Sequence, residues 1–337
     1  MITSKHQSSI EQTTRNRIGY IDALRGFTML MVVCVHTATY SKIDIVPYSS
    51  FFQLFRMPLF FFISGLFFYK NDYIWEYHNG FKFIAKKFLV QIIPTAIFLS
   101  IYMIIFNIKK FDIIGLNGYW FTVALFEFFT VYILCNILIK NQIISNILLF
   151  ICAIILYLLS YNTQSNFHYS YGYFIFFIIG IISKKHLDKI THIFDNNIIM
   201  LVVILLMFIG SILFLKGNFV NLGVKLLLSL LGIYSIYYFF MKNGEYINNS
   251  KIGKCMQFVG RRTLDIYLLH YFFVHDSMSW IVGHGVDSPT LLFIISIFTS
   301  IVIIGISLLL SKFLRTNPLL GKILFGVKLP MNASKQS

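Results

Sequence analysis

The sequence predicts an all-α protein, built as a polytopic membrane helix bundle. Of its 337 residues, 57% are hydrophobic and only 12% are charged. Apolar stretches of about 18 to 21 residues, long enough for a helix to cross a bilayer, recur between short polar connectors. A soluble domain of this length would carry far more charge and an amphipathic pattern. We therefore expect a multi-pass protein integral to the cell membrane.

These stretches predict about ten transmembrane helices. The predicted spans are residues 21–40, 51–69, 88–106, 119–139, 143–160, 169–182, 198–215, 222–241, 264–282 and 291–310. They form one transmembrane domain, residues 20–311, between an N-terminal tail, residues 1–19, and a C-terminal tail, residues 312–337. The first span carries charged residues and lacks a small-residue cleavage site, so we do not expect a removable signal peptide.

The basic balance of the chain follows from this topology. The net charge is +15, with 28 lysine and arginine residues. With the N-terminus inside, 21 of them fall in cytoplasmic segments, 4 in external loops and 3 in spans. By the positive-inside rule, both termini are predicted to be cytoplasmic. This asymmetry explains the charge without a polyanionic partner, so we expect no nucleic-acid binding.

The first span holds the strongest functional signal, Arg25 and His36. Eleven residues at about 100° each bring both side chains to one helix face, roughly 16 Å apart along the axis. Asp22, one turn earlier, shares that stripe. Ionisable groups inside a membrane are costly and usually functional, and a neutral imidazole suits general-base chemistry on a hydroxyl. The alternative is a structural histidine that is hydrogen-bonded between helices.

Glu127 is the one glutamate that falls inside a predicted span. It lies about 12 Å from the external end of the fourth span, at a depth similar to that of His36. We predict that its carboxylate orients the His36 ring and stabilises the imidazolium, as the acid of a hydrolase triad does. A protonated glutamate bonded to a neighbouring helix is the alternative.

Further polar residues flank the second and third spans. In the second span, Arg56 precedes Pro58 and either faces a cavity or extends to the external interface. Ser64 and Gly65 of the same helix permit close helix packing. Before the third span, Lys82, Lys86 and Lys87, followed by Gln91, are predicted to form a cationic mouth with Arg25 for a phosphate-bearing donor. Positive-inside topology alone also explains such lysines.

The ninth span carries Asp265, Tyr267 and His270, the last a second intramembrane histidine. His275, Asp276 and His284 follow near the external face, but they form only a weak metal pattern. The four cysteines show no metal-ligand spacing, and three lie in spans, where a disulfide framework is not expected. We expect neither a metal nor a permanently bound cofactor.

Three of these segments together resemble the membrane-bound acyltransferase family three. The matching segments are Tyr20-Ile-Asp-Ala-Leu-Arg25 through His36, an Arg-x10-His pattern; Arg56-Met-Pro-Leu-Phe-Phe-Phe-Ile-Ser-Gly65; and Ile266-Tyr-Leu-Leu-His270. The resemblance covers nearly the whole chain. Where many members have an arginine-rich element before the third span, this chain has Lys86, Lys87 and Gln91.

The resemblance implies an O-acyltransferase, an O-acetyltransferase in particular. Its donor would be cytoplasmic acyl-CoA and its acceptor a hydroxyl of an extracytoplasmic polysaccharide or glycolipid. His36 would be the catalytic residue and Arg25 a partner in the donor channel, while Trp120 and Tyr267 would shape the acceptor pocket. Direct transfer and an acyl-histidine intermediate both remain open. The alternatives are an exporter of polysaccharide or lipid and a structural membrane subunit.

The predicted topology is testable by cysteine labelling in intact cells. Cysteines introduced near Asn117 and Gly285 should react with an impermeant thiol reagent from outside, because both positions fall in predicted external loops. Lys251→Cys should react only after the membrane is permeabilised. Labelling of Lys251→Cys in intact cells would contradict the predicted orientation.

Overall fold

The computed structural model describes residues 19–46, 48–69, 74–109, 112, 116–160, 169–184, 196–215, 222–281 and 288–326. Within these ranges the chain is helical and contains no strand. The helices are α1 Gly19–Tyr40, α2 Tyr48–Phe68, α3 Tyr77–Lys87, α4 Ile93–Ile105, α5 Trp120–Leu138, α6 Gln142–Ser160, α7 Phe174–Ser183, α8 Asn197–Leu215, α9 Leu222–Lys242, α10 Gly244–Asn249, α11 Lys251–Arg261, α12 Thr263–Leu269, α13 Tyr271–Val274, α14 Pro289–Leu314 and α15 Pro318–Phe325.

The predicted membrane bundle is confirmed as a fold class. Seven helical stretches of the described residues are long and apolar enough to cross a bilayer: α1, α2, the stretch Tyr77–Ile105, α5, α6, α9 and α14. Two shorter apolar helices, Ser170–Ser183 and Asn197–Gly210, coincide with the sixth and seventh predicted spans. The count of ten spans and the cytoplasmic termini stay predictions.

The expected ninth span is not one continuous helix. Instead of spanning residues 264–282, the chain forms α12, breaks at His270, and continues as the four-residue helix α13. After a turn, a 3-10 helix covers Ser279–Ile281. An apolar composition alone does not keep a helix straight, because irregular backbone is tolerated at membrane depth wherever protein surrounds it. His270 is fully buried, so this break lies in the protein interior.

Helix α1 lies at the centre of the bundle and touches α11 almost backbone to backbone. A β-carbon added at Gly26 would lie 2.1 Å from the Met256 carbonyl oxygen, and one at Gly260 would lie 1.7 Å from that of Asp22. Helices α2 and α7 meet in the same way, since a β-carbon at Gly65 would lie 2.1 Å from the Phe177 oxygen. Small residues thus permit the closest helix contacts, as the sequence predicted for Gly65.

Asp265 ties α12 to the end of α14. It is buried, and its carboxylate lies 2.7 Å from Arg315 Nη2 and 3.2 Å from Arg262 Nη1. The Ser311 hydroxyl donates to it at 2.6 Å. The segment predicted as a C-terminal tail then folds back on the bundle, because the Phe325 ring packs against Phe98 of α4 with centroids 5.7 Å apart.

Candidate active site

A cavity of about 270 Å³ lies against one face of α1. Four α1 residues line it: Arg25, Met29, Val32 and His36. Their spacings of four, three and four residues form a single helical stripe, so the predicted common face of Arg25 and His36 is confirmed. Between Arg25 and His36, Met29 and Val32 line an apolar stretch of the helix. This stretch connects the positively charged end of the cavity, at Arg25, with the end at the His36 imidazole.

The other walls come from helices distant in the sequence. Helix α2 contributes Met57, Phe60 and Ser64, again three and four residues apart. The start of α5 and the helices around His270 close the remaining sides with Gly118, Trp120, Phe121, Thr122, Leu125, Thr263, Leu264, Tyr267 and Tyr271. Ser64 therefore faces the cavity, while its neighbour Gly65 serves packing.

Lys87 and Gln91 enter the cavity from a widened helical turn. Phe88–Ile92 form a π-helical turn between α3 and α4, in which the Ile93 N–H donates to the Phe88 carbonyl five residues earlier. Such turns occur frequently at functional sites. Gln91 Oε1 is buried and has no hydrogen-bond partner among the described residues. A buried polar atom without a partner is costly, so this oxygen is available to a ligand.

The cationic end of the cavity is built by Arg25 and Lys87. Arg25 Nη2 lies 3.3 Å from Thr263 Oγ1, so the end of α1 is joined to the start of α12. Lys87 Nζ lies 4.5 Å from the ring centroid of Phe129, and its charge interacts with that of Arg25. Two positive charges held together next to a partnerless amide oxygen favour an anionic, hydrogen-bonding ligand.

A second pocket of about 300 Å³ continues from this cationic end. It shares Arg25, Ser64, Lys87 and Gln91 with the first cavity and extends to Trp75, just before α3. The two spaces together lead from the face of the bundle at which α1 begins to the interior at His36. A ligand of extended shape fits this path better than a compact one.

His36 lies among aromatic and histidine rings at the inner end of the cavity. Its Nδ1 is 3.3 Å from His270 Nε2, and its ring centroid is 5.3 Å from that of Tyr271 and 6.1 Å from that of Tyr40. Arg56, predicted either to face a cavity or to extend to the interface, does not line this cavity, although its Nη1 is buried in the bundle. His36 is partly accessible, whereas His270 is fully buried.

Tyr267 and Trp120, predicted to shape an acceptor pocket, both line this cavity and also organise its wall. The Tyr267 hydroxyl accepts from the Phe121 N–H at 3.1 Å and thereby caps the first turn of α5. The Trp120 ring stacks on Tyr173 with centroids 5.6 Å apart. The first contact holds the start of α5 against α12, and the second holds it against the segment that precedes α7.

Two of the predicted site residues, Asp22 and Lys86, lie elsewhere. Asp22 turns towards α11, where Arg261 Nε is 3.9 Å from its carboxylate, and it does not line the cavity. Lys86 is exposed, because one residue along α3 rotates it about 100° away from Lys87. Neither contributes to the cavity walls.

The expected contact between Glu127 and His36 is not among the contacts of the described residues, and Glu127 does not line the cavity. On α5, Glu127 is rotated about 200° from Leu125 and about 140° from Thr122, which both face the cavity. The side chain in hydrogen-bond reach of His36 is His270, which the sequence suggested only as a second intramembrane candidate.

Sequence reasoning missed Tyr271, Gly118 and Tyr102. The Tyr271 hydroxyl donates to the Gly118 carbonyl at 2.8 Å, and Tyr102 Oη lies 2.5 Å from His275 Nε2. A tyrosine in an apolar span carries no signal of its own, so only the tertiary contacts reveal these roles. Among the described residues, no three metal-ligating side chains come together, and His284 lies outside them.

Comparison with known proteins gives one match. A family model of acyltransferase family 3, described as an acyltransferase domain, matches residues 18–311. This range contains every residue that lines the two pockets. No curated protein and no solved structure matches the chain.

Gly118→Ala should destabilise the cavity wall. Gly118 has φ +100°, and an added β-carbon would lie 2.7 Å from the Tyr271 ring. Strain of this kind costs about 1 to 3 kcal/mol, so the thermal unfolding temperature of the purified protein should fall. Gly305→Ala is the matched control, because nothing lies within 4 Å of its β-carbon and alanine favours the helix. Equal unfolding temperatures for the two variants would contradict the assigned role of Gly118.

Proposed function

Because the chain belongs to acyltransferase family 3 and is thus a membrane acyltransferase, we propose that it is an O-acyltransferase that uses acyl-CoA. The acceptor is a hydroxyl of an extracytoplasmic polysaccharide or glycolipid, and acetyl is the acyl group we favour. One observation carries this proposal: a single cavity contains the cationic pair Arg25 and Lys87 at one end and His36 at the other. The membrane is proposed to be the bacterial inner or plasma membrane.

The cationic end suits the donor. The phosphates of acyl-CoA would enter through the pocket that reaches Trp75 and would bind near Arg25 and Lys87. The partnerless Gln91 Oε1 suits an amide N–H of the pantetheine arm, which would then follow the apolar stretch of α1. The extended shape of the two connected pockets supports a ligand with a charged head and a long arm.

The inner end suits the chemistry. His36 would take the proton of the acceptor hydroxyl while the oxygen attacks the thioester carbonyl. Collapse of the tetrahedral adduct breaks the C–S bond, and the leaving thiolate takes the proton back from His36. Products are the O-acyl ester and free CoA.

Arg25→Ala should raise the Michaelis constant for acyl-CoA. Loss of a charge-assisted phosphate contact weakens binding by about 1.5 to 3 kcal/mol, which corresponds to roughly ten- to a hundredfold. Arg25→Lys should recover part of this loss, since it keeps the charge and loses the planar fork. The assay measures free CoA released by purified protein from a panel of short acyl-CoA thioesters.

Two lysines provide a matched comparison in the same assay. Lys87→Ala should weaken donor binding, because Lys87 lines both pockets. Lys86→Ala should not, because its side chain is exposed and outside both. An unchanged donor affinity in Arg25→Ala would assign Arg25 to structure, through Thr263.

His36→Ala should lower turnover by at least about a hundredfold, the lower range of general-base catalysis, while donor binding persists. Donor binding is measured separately, by equilibrium titration of acyl-CoA. Retention of more than a tenth of wild-type turnover would show that another group is the base. An exporter would leave the thioester intact, so wild-type protein that releases no CoA with any donor and acceptor would favour export.

A further inference from the structure

The ring of His270 is held against two backbone carbonyl groups at the break between α12 and α13. Its Nδ1 lies 3.0 Å from the Ile266 oxygen and 2.9 Å from the Tyr267 oxygen. Carbonyl oxygens only accept hydrogen bonds, so Nδ1 must carry a proton. The position is fully buried in the bundle, where a doubly protonated, charged ring would be costly. His270 is therefore a neutral imidazole whose Nε2 has a free lone pair.

This assignment determines the neighbouring histidine as well. His270 Nε2 lies 3.3 Å from His36 Nδ1, and no second acceptor of the His36 Nδ1 proton is present among the described contacts. Because His270 Nε2 is an acceptor, His36 Nδ1 must be the donor. A neutral imidazole has one protonated nitrogen, so His36 Nε2 is left without a proton. His36 lines the cavity, so this basic nitrogen is the one that a ligand can reach.

We propose that His270 is a positioning residue that holds His36 in the tautomer protonated at Nδ1 and so exposes Nε2 as the base. The catalytic meaning of this assignment rests on the proposed function. Proton transfer from the acceptor hydroxyl to Nε2 turns His36 into an imidazolium, and its Nδ1–H then makes a charge-assisted bond to His270. Among the described residues, the rings in contact with His36 are those of His270, Tyr40 and Tyr271, and none of these groups is a carboxylate. A neutral acceptor thus fills the place for which the sequence suggested Glu127.

The tautomer is measurable without any enzyme activity. The protein is labelled with ring-¹⁵N histidine, reconstituted in lipid vesicles and studied by magic-angle-spinning NMR, in which protonated and unprotonated ring nitrogens are resolved. There are nine histidines, and the His36→Ala and His270→Ala spectra assign the two signals. We expect protonated Nδ1 and unprotonated Nε2 for both rings. A His36 ring protonated at Nε2 overturns the inference, whatever the activity.

Two variants of His270 separate the roles of its two ring nitrogens, because each variant keeps the hydrogen bonding of only one of them. Asparagine places its amide near the position of Nδ1, so it can still bond the backbone carbonyls but offers His36 no acceptor. Glutamine places its amide oxygen near the position of Nε2 and so keeps the acceptor for His36. We expect His270→Asn to lower the turnover number about ten- to a hundredfold with little change in the donor Michaelis constant. His270→Gln should retain most of the turnover.

The outcomes separate this inference from the proposed function. If His270→Gln and His270→Asn lose equal turnover while both keep the wild-type unfolding temperature, His270 does not act as an acceptor and the inference is wrong. In a His36→Ala background, His270→Asn should cause no further loss, because the two residues act through one nitrogen. Protein that shows the expected tautomer but releases no CoA contradicts the proposed function alone. Should His270→Asn fail to fold, the wild-type spectrum still decides the tautomer.

Discussion

The contact between α1 and α11 is the constraint on which the rest of the site depends. Gly26 and Gly260 let the two backbones approach so closely that a single added β-carbon would overlap a carbonyl oxygen. This contact fixes the rotation of α1 about its own axis. Because Arg25 and His36 lie on one stripe of that helix, fixing its rotation directs both side chains into the same cavity.

Elsewhere in the bundle, irregular backbone brings polar groups to positions that they could not reach from straight, regular helices. The π-helical turn Phe88–Ile92 widens one helix and directs Lys87 and Gln91 to the cationic end. Next to the break at His270, the carbonyl groups of Ile266 and Tyr267 both lie within hydrogen-bond distance of its imidazole ring. In a membrane, irregular backbone is stable only where protein groups form its missing hydrogen bonds. Both irregular segments accordingly lie at the cavity, and neither is surrounded by lipid alone.

The ion pairs of the bundle distinguish charged residues that hold helices together from charged residues that face the cavity. Asp265 is committed to Arg262 and Arg315, and Asp22 to Arg261, so these carboxylates hold helices together. The Asp265–Arg315 pair is the most buried of these, and removing one partner of a buried pair leaves an uncompensated charge, which costs about 3 to 5 kcal/mol. With these acids engaged in packing, the cavity retains a net positive end and a neutral histidine pair.

The sequence alone determined the membrane bundle and the register of its first helix. Long apolar stretches dictate helices in a bilayer, and the 3.6-residue period dictates that Arg25 and His36 share a face. It also identified Lys87, Gln91, Trp120 and Tyr267, all of which line the cavity. The spans and the shared face of Arg25 and His36 depend on one segment at a time, so apolar length and local periodicity are sufficient to predict them.

Only the tertiary structure decided which residues from different helices meet. Depth in the membrane suggested Glu127 as the partner of His36, but depth says nothing about rotation, and α5 turns Glu127 away from the cavity. Lys86 and Asp22 do not line the cavity for the same reason. A rotation of 60° to 100° about the helix axis is enough to move a side chain from the cavity wall to a neighbouring surface. The partner of His36 is His270, 234 residues away in the chain. Pairing over that distance depends on how the helices pack against one another, and the period of a single segment holds no information about it.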